Sequence, residues 1–438
     1  MERILTPKTG IQTEILQKAI DDCFLSGGGR VVLTAGTYLT GGIRLRSNVT
    51  LYLCTGAVLL GTRDPDDYFA AENDTLEPMP EEYRSEALWE SPRKRKNADH
   101  ITKAGSRWNH ALIRILDAHD VSVIGESGSY IDGADCYDEI GEEHYRGPHG
   151  IAFHFSERLH FAGYTIRNTG NWAHLGYGSK NVDFSNITVL GGHDGVHISS
   201  CDAVSVTCCE FYTGDDCVAG FDNKDVYVAD CILNSACSAF RFGGRDVLIE
   251  RCRFYGPARY FFRGSLSKED KISGNPAPTD GRKTMLSFFT YYSDFTLKVR
   301  HDPGNIVVRN CTGEQMERFL LYDFSGAQIW QMNRPLSSIS FENVTAKDIR
   351  MPIDAYGDAE HPITLSLTNC CIAFSEPVSA AIRAANYSSM ELENVAFHGV
   401  DGPLVLSFGG DGEIDLQNVG GVTGTCRAST EPYRSKSI

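Results

Sequence analysis

Three aspartates, Asp194, Asp215 and Asp216, lie in two short glycine-led motifs, Gly192-His193-Asp194-Gly195 and Gly214-Asp215-Asp216-Cys217. Asp194 and Asp216 are 22 residues apart; Trp172 precedes Asp194 by 22, and Ser238 follows Asp216 by 22. A chain that returns to one lateral position at such an interval is a solenoid. Residues one interval apart then stack at the inter-strand spacing of about 4.8 Å. Two coils would bring three carboxylates to one outer face, beside an aromatic ring. That cluster suits glycosidic cleavage, which needs one carboxylic acid to protonate the leaving oxygen and a carboxylate to act on water or the anomeric carbon. Crowded carboxylates cannot all ionise cheaply, so at least one should hold its proton to higher pH. A plain Asp-Asp turn after glycine is the structural alternative, but it gives no reason for Asp194 one coil away.

The elements that must position these residues are short and regular. Ile15, Leu16, Ala19, Ile20 and Cys23 fall at helical spacing after Thr13, a candidate N-cap. They predict a capping helix over 13–25 that plugs the open end of the solenoid. The triple glycine 27–29 ends it, and neither a Walker lysine-serine nor a Gly-x-Gly-x-x-Gly before a helix accompanies that glycine run. From residue 30 the chain reads as strands of three to five residues. An alternating unit recurs from Val182, Val204, Val226, Val247, Ile306, Ile339, Leu365 and Met390. Alternation sends one set of side chains inward and the other outward. The pattern predicts an all-β chain, a single right-handed parallel β-helix domain over 1–438. Two stretches break the period, 72–108 and 264–303, and are read as loop insertions lining the cleft. The first carries Arg93-Lys94-Arg95-Lys96, read as a solvated basic face; the second turns aromatic at Phe288, Phe289, Tyr291, Tyr292 and Phe295.

The formal charge is −16, from 57 acidic and 41 basic residues. Phosphate binding needs a basic face, so no nucleic-acid partner is expected, and without an 18-residue apolar run no membrane partner either. Fourteen cysteines behind an N-terminus without an apolar leader lead to the expectation of a reducing, cytoplasmic location. Cys208, Cys231 and Cys252 take matching turn positions, as asparagines do in other coils, and a buried cysteine behaves as a small hydrophobe. The adjacent pairs Cys208-Cys209 and Cys370-Cys371 point to opposite faces. No metal site and no organic cofactor are expected, and the oligomeric state is left open.

At the aspartate motifs the chain resembles glycoside hydrolase family 28, the polygalacturonases and their relatives. That family carries Asn-Thr-Asp-Gly, Gly-Asp-Asp-Cys, Gly-His-Gly and Arg-Ile-Lys on successive coils. Here the second stands intact at 214–217, and the first reads Gly-His-Asp-Gly at 192–195. Gln17-Lys18-Ala19-Ile20-Asp21-Asp22-Cys23, Ser47-Asn48-Val49-Thr50-Leu51, Ile131-Asp132-Gly133 and Asn171-Trp172 extend the resemblance over most of the chain. It implies an inverting glycosidase on a parallel β-helix, with Asp215 as general acid and Asp194 and Asp216 as the pair that activates water. Two departures concern the substrate. Ser238 stands at the family histidine in Cys237-Ser238-Ala239-Phe240-Arg241, and Tyr260-Phe261-Phe262-Arg263 stands at Arg-Ile-Lys.

The leading expectation is therefore a polygalacturonase-like glycoside hydrolase of carbohydrate metabolism. It would act in exo fashion on a short uronate-containing oligosaccharide derived from pectin in the plant cell wall. Arg241 and Arg263 are candidates for a rebuilt carboxylate clamp, since arginine binds carboxylates bidentately. His193 is a candidate for a sugar hydroxyl, Trp172 for stacking on a sugar face, and Ser238 for a further substrate contact. Packed structural roles are the alternative for each. Two other readings stay open: a polysaccharide lyase using Ca²⁺ at the aspartates with Arg241 or Arg263 as base, and a β-helix that binds glycans without cleaving them.

Overall fold

The computed structural model describes residues 1–68, 107–273, 281–295, 298–328 and 330–431. Nearly all of the expected 72–108 insertion, including its basic run, lies outside the described residues. The chain divides into two compact units. One comprises Met1–Asp215, Tyr260–Arg282 and Phe295–Lys298, the other Asp216–Arg259, Lys283–Asp294 and Val299–Ile438. The fold is all-β, a right-handed parallel β-helix.

In the first unit the alternating repeats become stacked rungs. Lys180–Ser185 pairs in parallel with Asp202–Thr207, Val182 opposite Val204 and Phe184 opposite Val206. On its other edge it pairs with Glu157–Ala162. Val182 and Phe184 are buried while Asp183 and Ser185 between them are half-exposed. Inside, Phe161 and Phe184 stack 5.0 Å apart, with Phe153 5.4 Å from Phe161. A slip of one residue would turn every such ring to solvent, so the apolar alternation sets the register.

The helix runs Thr13–Leu25 and buries Leu16, Ala19, Ile20 and Cys23. Ile15 instead stays 37% exposed. Thr13 is not the cap: Gln12 holds that position without a side-chain capping bond, and the Thr13 hydroxyl accepts from the Gly41 amide at 2.8 Å. Gln17 donates to the Arg44 carbonyl at 3.0 Å and accepts from its amide at 2.8 Å. Those two bonds satisfy an edge strand that the first coil would leave open.

In the second unit the remaining repeats also align, with Val226 opposite Val247, Val247 opposite Ile306, Ile306 opposite Ile339, Ile339 opposite Leu365, and Leu365 opposite Met390. The 264–303 stretch is not a continuous loop. Lys268–Ser273 is a short helix, and Met285–Tyr291 is a strand opposite Ser238–Glu250. Phe288, Phe289 and Tyr291 are fully buried; their apolar surface needs a core, and the strand supplies one. The cysteine alignment also shifts by one. Cys208 holds the left-handed turn position (φ 54°) that Asn186, Asn310, Asn343, Asn369 and Asn394 hold in other coils. Cys209, Cys231, Cys252, Cys311 and Cys370 come one residue later, buried, each thiol donating to the carbonyl two residues before it. Asparagine tolerates the left-handed region, whereas the next position needs a small apolar group. All fourteen cysteines are free thiols.

His174 ties the first unit's core to the aspartate motif. Its Nδ1 lies 3.0 Å from the Gly195 carbonyl, so Nδ1–H donates, and Nε2 accepts from the Tyr164 hydroxyl at 2.9 Å. Both bonds belong to the neutral ring, and burial pushes its pKa down to about 4, the Gly195 carbonyl pulling slightly back. The folded value lies below the unfolded one of about 6.5. Stability contributed by the neutral ring is therefore present above pH 6.5 and lost as pH falls towards 4. At about 1.4 kcal/mol per unit this amounts to roughly 3 kcal/mol. Urea unfolding across that window should show a shallower decline for His174→Gln than for the unsubstituted chain, whatever the absolute stability of the variant.

Candidate active site

The motif aspartates divide between the units, Asp194 and Asp215 in the first and Asp216 in the second. In the first, Trp172 and Asp194 stand one coil apart as their spacing requires: the Ala173 amide donates to the Asp194 carbonyl at 2.9 Å, and His174 faces Val196. The Asp194 carboxylate is wholly buried, and its Oδ2 lies 2.8 Å from Nδ1 of His197 on the following strand. His197 lies flat on Trp172, ring centroids 3.7 Å apart at 3°. Trp108 meets Trp172 edge-on at 4.8 Å, and His149 lies 5.5 Å from it. Trp172 is thus 8% exposed, with one face on an imidazole. This ring serves the carboxylate's surroundings rather than an open platform for sugar.

Asp215 is the most open of the three, with its side chain 13% exposed against 0% for Asp194 and 3% for Asp216. Its Oδ2 lies 3.5 Å from Nη2 of Arg146. Arg146 also pairs with Glu143 through Nε at 3.0 Å and donates to Asn171 Oδ1 at 3.1 Å, and the same oxygen accepts from the Trp172 amide. Arg146, Asn171 and Trp172 therefore form one brace behind Asp215 and Asp194.

His193 is buried beside Tyr145, rings near-parallel with centroids 6.1 Å apart, and neither of its ring nitrogens has a partner among the described residues. Burial first, then the charges of Arg146 and Arg263, hold its pKa well below the ordinary histidine value. Lys271 sits over Tyr145 with Nζ 3.9 Å from the ring centre.

Arg263 does not occupy a strand on a further coil. It lies in the short turn Arg263–Ser265 within the first unit, 7% exposed, and pairs with Asp135 at 2.7 Å. Burial pushes the Asp135 carboxyl above its usual range even though Arg263 pulls it back. Glycines admit this segment. A Cβ on Gly192 would fall 2.3 Å from Arg263 Cγ, and one on Gly214 would fall 1.8 Å from the Phe261 carbonyl oxygen.

In the second unit Asp216 is fixed from both sides. Oδ1 accepts from the Ser238 amide at 2.9 Å, and Oδ2 forms an ion pair with Arg241 Nε at 2.6 Å. Ser238 thus acts through its backbone; the position where the resemblance places a histidine holds an aspartate without needing a side chain. The Arg241 guanidinium lies over Tyr292 at 4.6 Å and near Trp330 at 5.7 Å. Tyr292 is anchored by its hydroxyl, which donates to Asp294 at 3.0 Å. The aromatic end of the 264–303 stretch therefore does reach a site residue.

Sequence reasoning named Tyr292 within the aromatic stretch but missed Arg146, Tyr145, His197, Lys271 and Trp330. His197 alone left a signal, at the second residue after the Asp194-Gly195 turn. The others come from segments without a period.

The chain's residues 97–237 match the family model described as Glycosyl hydrolases family 28. The chain is 27% identical over 230 residues to a probable polygalacturonase of Vitis vinifera, covering 50% of this chain and 42% of that protein. It is 43% identical over 60 residues to an exo-poly-alpha-D-galacturonosidase of Dickeya chrysanthemi, covering 14% and 10%. The matches thus span less than half the length of these curated relatives. Among solved structures, the exopolygalacturonase of Thermotoga maritima has a TM-score of 0.61 at 15% identity, covering 91% of this chain and 92% of that one. The family 28 exopolygalacturonase of Yersinia enterocolitica has 0.60 at 16%, covering 99% and 79%. The surface adhesin PfbA of Streptococcus pneumoniae has 0.57 at 14%, covering 93% of each. At such identities these structures share the fold.

Gly214 tests the packing of this region. Gly214→Ala should cost about 1–3 kcal/mol, the range for overpacking a filled site, because the Phe261 and Gly192 carbonyls leave no room for a methyl group. Thermal or denaturant unfolding measures it; an unchanged midpoint would show that the 260–263 segment does not lie where described.

Proposed function

We propose that the chain is an inverting, polygalacturonase-like glycoside hydrolase. Asp215 would protonate the glycosidic oxygen, and Asp194 and Asp216 would activate water. The observation that carries this reading is the graded exposure of the three carboxylates. The one assigned to meet the leaving group is the most open, and the two assigned to water are buried and individually held by His197 and by Ser238 with Arg241. Asp215→Asn keeps shape and loses the proton, so turnover should fall by several orders of magnitude with unfolding unchanged. Near-normal turnover of that variant refutes the role. NMR of the first-formed product should show inverted anomeric configuration; retention would refute the two-carboxylate inverting scheme.

The preferred substrate in this proposal is a short uronate oligosaccharide cleaved from one end; similar proteins of Dickeya chrysanthemi, Thermotoga maritima and Yersinia enterocolitica are named as exo-acting on polygalacturonate. A chain at −16 repels anions overall, so an acidic ligand needs a local cation. Arg241 is the candidate. A guanidinium offers five donors in a fixed fork, enough to hold Asp216 and a substrate carboxylate together, and Tyr292 and Trp330 would keep it flat. Arg241→Lys keeps the charge and loses the fork; a fall in kcat through Asp216 is common to all substrates, whereas KM should rise by about tenfold or more for galacturonate oligomers and change little for neutral oligosaccharides. Equal activity on neutral sugars would remove the uronate part and leave the glycosidase. An unsaturated product would point to a lyase, and absence of cleavage across a panel of plant cell-wall oligosaccharides to a binding protein.

A further inference from the structure

We infer that His197 is a positioning residue for Asp194, held in place by Trp172, so that this chain orients a water-activating carboxylate with an imidazole from the carboxylate's own coil. The inference rests on the proposed role of Asp194. Three observations carry it. The Asp194 carboxylate is wholly buried, and a buried carboxylate without a donor is costly; His197 Nδ1 stands 2.8 Å from Oδ2. His197 is itself 3% exposed, so solvent cannot replace it. Its ring lies on the Trp172 indole at 3.7 Å and 3°, a contact distance at which the imidazole can slide or tilt little without losing dispersion contact.

The chain geometry makes the arrangement economical. Asp194 closes the turn and His197 is the second residue of the Val196–Ser199 strand, whose neighbour His174–Tyr177 begins two residues after Trp172. That pairing sets Leu175 opposite His197 and leaves Trp172 level with the Asp194 turn, so the two rings meet by side-chain reach between neighbouring coils. Behind Trp172 stand Trp108 and His149, and Arg146 reaches Asn171 beside it. The titratable groups tied to this arrangement within the unit include His149 beside Trp172, Arg146 on Asn171 and Asp215, and His193 next to Asp194 in the chain. With Nδ1–H donated to Asp194, the carboxylate is held in one rotamer, and its ionised form is favoured by the donor. Loss of that donor removes one hold on the carboxylate's rotamer and one interaction that favours its ionised form.

Turnover and binding separate this from a merely structural role. His197→Ala should lower kcat by about 10²-fold, the cost of misplacing a reacting group by roughly 1 Å, with KM little changed. Its acid limb of kcat/KM should move to higher pH. His197→Asn presents an N–H where Nδ1–H stood and should recover most of the rate, whereas His197→Gln carries its amide further out and should not. Trp172→Phe should stay closer to the unsubstituted chain than Trp172→Leu. Asn and Gln variants equally active, or a His197→Ala profile unmoved in pH, would overturn the inference. If His197→Ala does not fold, the Asn and Gln pair still decides. Asp194→Asn is measured alongside. Near-normal turnover of that variant would sink the role of Asp194 itself, and a dead Asp194→Asn with an undisturbed His197→Ala would sink only the positioning role. Independently of turnover, NMR of the full chain should show a protected His197 Nδ1 proton that is lost in Asp194→Asn; its absence in the unsubstituted chain would overturn the inference as well.

Discussion

The register of parallel strands is the constraint on which the rest depends. Each coil must return after a nearly fixed number of residues, because the apolar side chains of one coil can be buried only directly over those of its neighbours. Val182 over Val204 and Val247 over Ile306 are instances on either side of the aspartate motifs. Chemistry is then a matter of what occupies a column. Placing Trp172 one return before Asp194, and Asp216 one return before Ser238, delivers contacts no local segment could make. The insertion between Val247 and Ile306 shows how the constraint is met when sequence is added: the extra chain leaves the ladder, forms a short helix and the Met285–Tyr291 strand, and comes back into register.

A second feature is how charge is handled in a strongly acidic chain. Buried carboxylates are expensive unless paired and hydrogen-bonded, and several described aspartates that lose solvent gain guanidinium or imidazole partners. Asp216 has Arg241, Asp135 has Arg263, and Asp354 lies between Arg318 at 3.1 Å and Arg383 at 2.7 Å. Burial nonetheless dominates for Asp354 and Asp135, whose carboxyls are pushed above their ordinary values in spite of those arginines. Pairing here prevents a penalty more than it adds stability. The price of removing one partner is a charge with nowhere to go. Arginine dominates the pairings because its fork meets a carboxylate at two points.

The site region also depends on backbone space. Gly192 and Gly214 are adjacent in the stack, the Gly214 amide donating to the Gly191 carbonyl at 2.8 Å, and the Phe261–Arg263 segment lies against both. Any Cβ there would meet a main-chain atom or the Arg263 stem. The glycines that lead the aspartate motifs thus leave room for a segment that arrives from far along the sequence.

Much of the fold was legible in the chain itself. Each repeat start identified by alternation sits opposite the next within its unit, and the helix begins and ends at Thr13 and Leu25. Period and alternation are local properties that survive into the structure because burial enforces them. Turn detail was less legible: Cys208 and Cys231 look equivalent by eye, but one holds a left-handed position and the other the buried residue after it. At the site, the aspartates were legible because they repeat with the coil. Arg146, Lys271 and Trp330 were not, since they come from aperiodic segments whose path is decided by where the finished coils leave space. Trp172 and Arg263 were both recognised as site residues and assigned outward roles. The structure turns Trp172 onto His197 and Arg263 onto Asp135. Residue type and spacing determine which groups share a column, but only tertiary packing decides which partner a side chain meets, because partners distant in sequence compete for each ring face and each charge.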